Sequence, residues 1–107
     1  MIKVKQEIED VINTHGGMAN VHCILLKTVE RDPTRYALKV DHTAIQEEKF
    51  LENCNFEISQ HNGQMNLEGQ ILFKDGTWSV REFDYEVGYE FWHYYSRPSV
   101  PKDCEVD

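Results

Sequence analysis

A chain of 107 residues, 40% of them apolar and 11% aromatic, is long enough to pack one hydrophobic core and too short for two. Nineteen Asp and Glu against eleven Lys and Arg give a net charge of −8, which disfavours direct binding to nucleic acid or to an anionic membrane and favours a partner with a basic surface. We expect a single domain over residues 1–107, with an ordered core of about 3–96 and a C-terminal tail of 97–107.

The cysteines predict a reducing environment. Cys23, Cys54 and Cys104 are odd in number and contain no close pair, which is typical of free thiols in the cytosol rather than of a disulfide framework. The N-terminal sequence has no apolar h-region, and no stretch approaches the eighteen apolar residues of a spanning helix. We therefore expect a cytoplasmic protein.

The first predicted element is an amphipathic helix over residues 3–15. Its apolar side chains recur at helical spacing on one stripe, at Val4, Ile8, Val11 and Ile12. Gly16 and Gly17 follow, and glycine commonly ends a helix.

A hairpin and a short helix are predicted next. Residues 19–30 have apolar side chains at both odd and even positions, which predicts a central strand covered on both faces. The turn at 31–35 leads to a strand over 36–42, where apolar and polar residues alternate. Residues 43–54 predict a helix, because Thr43 and Gln46 form a capping box before a run of helix formers.

Strand signals fill the rest of the chain. We expect an antiparallel β-meander of four strands from about 55 to 95, with turns at the Asn-Gly of 61–64, at Asp75-Gly76 and at 86–88. The fold class is then α+β: an N-terminal helix, a hairpin, a short helix and an antiparallel β-meander in two layers.

The strand after Asp75-Gly76 breaks its own alternation. Trp78 and Val80 are apolar on even positions, whereas Phe83 and Tyr85 are apolar on odd ones. Because the side-chain period of a strand cannot change by itself, either a bulge lies near 81–82 or Trp78 faces solvent. We favour the bulge, since it buries the large Trp surface.

The last strand, within EVGYEFWHYYS (86–96), has aromatic side chains at both odd and even positions. One parity holds Tyr89, Phe91 and Tyr95, which we expect in the core. The other parity leaves Glu90, Trp92 and Tyr94 on the opposite face, where aromatic side chains beside an acid are typical of a protein interface.

Catalytic and cofactor motifs are missing from the sequence. It has no GxGxxG or Walker loop, no GxSxG and no HExxH, and its His and Cys residues lack the CxxC or HxH spacing of zinc sites. Glu82 and Asp84 could act as paired carboxylates, but a solvated strand face explains them more simply. We therefore expect a protein that is not an enzyme and that binds neither a metal nor a cofactor.

Acidic clusters are the main candidates for function. The first cluster is Glu82, Asp84, Glu86 and Glu90, which lie near Trp92 and Tyr94 in the sequence. The second is Glu47, Glu48 and Glu52 on the predicted short helix. Such faces often serve solubility alone. The sharper hypothesis is that all nine residues contribute to a partner-binding surface for a basic protein, with partial mimicry of nucleic acid.

The C-terminal third carries a resemblance. The residues that carry the resemblance are, in order, Asp75-Gly76-Thr77-Trp78, Arg81, Phe83-Asp84, Glu90-Phe91-Trp92, Pro98 and Pro101. This part of the sequence resembles the C-terminal segment of small uncharacterised bacteriophage and prophage proteins. The sequence departs from that pattern at 85–89, where the family has a shorter Gly-Ser step. The resemblance implies a phage origin and a bacterial host cytosol.

Small acidic phage proteins without catalytic motifs are often inhibitors of host defence, of which anti-CRISPR proteins are an example. We therefore expect a non-enzymatic inhibitor of a host CRISPR effector, nuclease or other nucleic-acid-binding complex, with no direct contact to nucleic acid or membrane. The alternative is a structural or accessory phage protein that forms a homo-oligomer, most simply a homodimer, through its aromatic C-terminal strand.

Overall fold

The computed structural model describes residues 1–59, 63–98 and 100–105. It confirms an α+β fold, with a five-stranded antiparallel sheet, a two-stranded sheet and α-helices packed against them. The elements in chain order are β1 (Ile2–Lys3), α1 (Val4–Thr14), β2 (Val21–Thr28), β3 (Arg35–Leu38), α2 (Ala44–Asn53), β4 (Glu57–Ile58), β5 (Leu67–Phe73), β6 (Trp78–Asp84) and β7 (Tyr89–Tyr95). Single 3₁₀ turns lie at Met18–Asn20 and Lys102–Cys104.

Helix α1 confirms the predicted amphipathic stripe. Val4, Ile8 and Ile12 are buried against the sheet. Gly16 takes a φ of 98°, and the N–H of Gly17 donates to the carbonyl of Ile12 at 2.9 Å, so the backbone turns away from the helix axis there.

Helix α2 begins as its capping box predicts. The Thr43 hydroxyl accepts from the N–H of Gln46 at 3.2 Å, and the Gln46 side-chain oxygen accepts from the N–H of Thr43 at 2.8 Å. The helix buries Phe50 and packs against β3, and the fully buried Cys54 follows it. Burial raises the pKa of the Cys54 thiol to about 12.

The larger sheet has the strand order β3-β2-β5-β6-β7, with every neighbouring pair antiparallel. The β2–β3 hairpin and the turn at Asp75-Gly76 are therefore as predicted. The four-stranded meander is wrong in its first strand, because β4 pairs with β1 in the separate two-stranded sheet. Residues 61 and 62 of the predicted Asn-Gly turn lie outside the described residues.

Both helices cover the same face of the large sheet, which we call the helix face. On β2 this face buries Val21, Ile24, Leu26 and Thr28. Leu25 points to the opposite face, the open face, and is 48% exposed there. The prediction of a strand covered on both sides is thus wrong. A register shift between Val21 and Cys23 moves the odd-numbered Val21 onto the helix face beside the even-numbered Ile24 and Leu26.

No bulge interrupts β6 and β7. Their register runs without a shift from Trp78 opposite Tyr95 to Asp84 opposite Tyr89, so the predicted bulge is wrong and the alternative, Trp78 on the open face, is correct. The polar Ser79 and Arg81 take the buried positions of β6 instead.

Because β7 follows the register of β6, its side chains lie on the faces opposite to those predicted. Tyr89 and Phe91 lie on the open face, 49% and 40% exposed, and Tyr95 lies on that face opposite Trp78. The prediction that these three side chains form the core is wrong, because the core position opposite Arg81 belongs to Trp92.

Candidate functional site

Strand alternation divides the first acidic cluster between two faces. Glu82 and Asp84 lie on the open face of β6, Glu86 lies in the turn to β7, and Glu90 lies on the helix face of β7. The two faces have different chemistry, so the cluster does not form one surface.

Arg81 is the centre of a buried network on the helix face. Its side chain is fully buried, and its Nε donates to Oε1 of Glu7 on α1 at 2.6 Å. One Nη atom donates to the carbonyl of Leu67 at 2.9 Å and to a carboxylate oxygen of Glu90. The guanidinium therefore ties α1, the start of β5 and β7 together.

Glu90 belongs to this network and is withdrawn from solvent, with its side chain 3% exposed. Its Oε1 accepts from the backbone N–H groups of Asn66 and Leu67. Burial acts to raise the pKa of this carboxyl, but the two N–H groups and the Arg81 charge outweigh burial and hold the pKa below its ordinary value. The carboxylate is satisfied inside the protein and does not face a partner.

Trp92 is covered by α1 on one side and by β5 on the other. Its Nε1 donates to Oε1 of Glu7 at 2.7 Å. Its ring packs on Gly69, where an added Cβ would lie 2.6 Å from the Trp92 Cη2 atom. Trp92 is thus partly buried, and most of its indole belongs to the packing between helix and sheet rather than to an exposed interface.

Tyr94 occupies the end of the helix face. It is 40% exposed, and its ring stacks on that of His15 with centroids 3.9 Å apart and an angle of 5° between the planes. This contact joins the C-terminal end of α1 to β7 and leaves Tyr94 partly exposed.

The open face carries a second arrangement, which we call the acidic hollow. It is a shallow depression of about 850 Å³ where the β6–β7 turn meets β5. Its lining combines four carboxylates with apolar and aromatic side chains and contains no Lys or Arg: Met65, Glu68, Glu82, Phe83, Asp84, Tyr85, Glu86 and Phe91.

Local hydrogen bonds orient two of these carboxylates. Oε1 of Glu82 accepts from the Tyr95 hydroxyl at 2.5 Å, and Oε2 lies 3.7 Å from Nδ1 of His93. The bond to Glu82 raises the pKa of Tyr95, because the phenol is the donor. Asp84 accepts from the backbone N–H of Glu86 at 2.9 Å. One oxygen of each carboxylate is thus held by the protein.

A row of contacting rings borders the hollow on the open face. Trp78 stacks on Tyr95 with centroids 5.6 Å apart, and Tyr95 lies 4.4 Å from His93, which in turn contacts Phe91 at 6.4 Å. Phe91 and Tyr95 were predicted to lie in the core, and no role was predicted for His93. The even parity of Trp78 and Val80 was the signal for this surface.

The second acidic cluster lies elsewhere. Glu47, Glu48 and Glu52 are on α2, which packs on β3 at the far edge of the sheet from β7. Glu47 is engaged by Nδ1 of His42 at 3.0 Å, whereas Glu48 and Glu52 are exposed. The nine predicted site residues therefore fall into three places: the hollow, the buried network with Tyr94, and α2.

Within the described parts of the chain, no three His, Cys, Asp or Glu side chains are grouped as metal ligands would be. No helix of those parts has the length and apolarity needed to cross a bilayer. Comparisons with protein-family models, with curated proteins and with solved structures found no match to this chain.

Proposed function

We propose that this chain is a non-enzymatic binding protein, and that its acidic hollow receives a Lys or Arg side chain from the basic surface of a partner protein. The observation that carries the proposal is the composition of the hollow: Glu68, Glu82, Asp84 and Glu86 surround aromatic side chains without any basic residue among them.

The chemistry of a basic side chain matches this lining in two parts. The aliphatic stem of Lys or Arg packs on apolar rings such as Phe91, while the cationic head meets the carboxylates. Because one oxygen of Glu82 and one oxygen of Asp84 already accept a hydrogen bond within the chain, both carboxylates are held in place before a partner arrives.

The net charge of −8 supports the same kind of partner. It speeds the encounter with a basic surface and repels nucleic acid itself. The partner class that we propose is a host defence nuclease, CRISPR effector or related nucleic-acid-binding complex, since such proteins need basic surfaces to hold phosphates. This choice of target rests on the sequence resemblance to phage proteins.

The hollow is tested by two triple variants that each remove three negative charges. E82Q/D84N/E86Q removes three of the four carboxylate charges of the hollow and leaves Glu68 in place, whereas E47Q/E48Q/E52Q removes the three glutamate charges of α2. Both sets keep the size of the side chains. With a short fluorescent arginine-rich peptide as probe, we expect the hollow variant to bind roughly tenfold more weakly and the α2 variant to match the wild type. Equal loss in both variants would mean that only net charge matters and would refute the hollow.

The target class is tested separately. Expression of the chain in a bacterium with active CRISPR or restriction immunity should raise the plating efficiency of a targeted phage, and E82Q/D84N/E86Q should reduce that gain. If neither immunity changes while the peptide still binds to the hollow, the proposed target class is wrong and the binding role stands.

A further inference from the structure

We infer that β7 is a dimerisation edge, along which a second copy of this chain adds its own β7 antiparallel and joins the two sheets into one. The inference rests on the edges of the sheet and is independent of the acidic hollow. Among the described strands, β3 and β7 are the two edges of the five-stranded sheet. A sheet edge offers backbone N–H and C=O groups to another strand unless something prevents it.

The edge at β3 has such protection. The strand is four residues long, begins with Arg35 and is followed by Lys39. A short strand with cationic side chains is a poor template for pairing.

Among the described residues, the edge at β7 has neither a short strand nor cationic side chains to discourage pairing. It runs for seven residues, Tyr89–Tyr95, without Pro, Lys, Arg or a register shift. Six of its seven side chains are aromatic rings or His, the residue types that favour strand pairing, with Glu90 as the exception. The described residues of the following tail, 96–98 and 100–105, are all exposed.

An inward-pointing charge on an edge strand usually discourages pairing, because a neighbouring strand would bury it. Glu90 does not act in this way, since Arg81 and the N–H groups of Asn66 and Leu67 already satisfy its carboxylate. A second strand beside β7 would therefore bury no unpaired charge at this position.

Symmetry favours a second copy over an unrelated peptide. Antiparallel self-pairing centred on Trp92 uses all seven residues and sets Tyr89 opposite Tyr95 of the second copy, and Phe91 opposite its His93. Ring-to-ring pairs across strands are stabilising. Because β7 is the better suited of the two described edges of the five-stranded sheet, the contact is isologous and closes as a dimer, whereas a β7-to-β3 contact would extend into a filament.

The acidic charges do not forbid this dimer. Glu82 and Asp84 lie on β6, one strand in from the edge, so those of the two copies would be about three strand spacings apart, or roughly 14 Å. That separation exceeds the screening length of roughly 8 Å at physiological ionic strength. The dimer would also leave the open face free and carry two hollows side by side.

Sedimentation velocity over a range of protein concentrations tests the dimer. The wild type should approach twice the chain mass of 12.6 kDa. F91K/H93K sets like charges opposite each other across the dimer and should raise the dissociation constant at least about tenfold. The matched control L25K/V80K adds the same two positive charges to the middle of the open face and should not weaken dimerisation.

Hydrogen exchange on the wild type provides a readout that does not depend on a variant folding. Amides of β7 should gain protection as concentration rises, and those of β3 should not. A monomer at every concentration overturns the inference, and so does loss of the dimer in L25K/V80K alone, which would indicate stacking of open faces. Protection of β7 only when another protein is added would indicate a heterologous strand and would also overturn it.

Discussion

Arg81 connects three elements through one buried side chain. Its guanidinium donates to Glu7, to the Leu67 carbonyl and to Glu90, and the indole of Trp92 shares the Glu7 carboxylate. Buried ion pairs contribute little net stability over apolar packing, but removing one partner leaves a charge without compensation. The network is therefore more important for fixing how α1 sits on the sheet than for total stability.

We predict that Arg81→Ala lowers the free energy of unfolding by about 3–5 kcal/mol, because the carboxylate of Glu90 loses its cation inside the protein. Urea denaturation monitored by Trp fluorescence measures the change. The matched control is Arg31→Ala, at an exposed position in the β2–β3 turn, which should change stability by less than about 0.5 kcal/mol. Equal effects of the two substitutions would contradict the structural role of the network.

At the scale of elements, local patterns predicted where the helices and strands lie but not which faces of β6 and β7 are buried. The stripe of α1 and the capping box of α2 are short-range signals, and both elements form where those signals lie. The face of β6 could not be read in the same way, because parity analysis assumes that buried positions are apolar. Here they are Ser79 and Arg81, and the partner that makes Arg81 tolerable is Glu7, 74 residues away.

The candidate site was predictable only in part for the same reason. Glu82, Asp84 and Glu86 were visible as a charge run and do line the hollow. Phe91 was assigned to the core from the alternation within β7 alone, whereas the pairing of β7 with β6 decides which face it occupies. Glu68 was missed, since only the pairing of β5 with β6 brings it beside the others. Contacts between strands distant in sequence carry this information, and a single sequence does not display them.

Gly69 shows how closely the elements pack. A Cβ at this position would lie 2.6 Å from Cη2 of Trp92 and 2.9 Å from Cδ2 of Leu26, both closer than real contacts allow. We predict that Gly69→Ala lowers the unfolding free energy by about 1–3 kcal/mol through overpacking. Gln70→Ala, at the exposed neighbouring position, is the control and should have an effect below about 0.5 kcal/mol.

The cause of the lower unfolding free energy is tested by making Gly69→Ala in a Trp92→Phe background. Trp92→Phe removes the part of the ring that meets Gly69, so the additional effect of Gly69→Ala should be smaller in the W92F background than in the wild type. An unchanged effect would mean that Leu26 or the strand backbone, rather than the indole, limits the space at this position.

At the scale of the whole molecule, the net charge of −8 acts in opposite directions on the two proposed associations. Two copies of the chain repel each other, whereas a basic partner is attracted. Raising NaCl from about 0.05 M to about 0.5 M shortens the screening length from roughly 14 Å to roughly 4 Å. We predict that this change strengthens the β7 dimer and weakens binding of an arginine-rich peptide to the acidic hollow. Sedimentation and fluorescence anisotropy of the same protein preparation measure the two constants. If both associations weaken together with salt, the self-association is itself driven by opposite charges, and the β7 edge is not its origin.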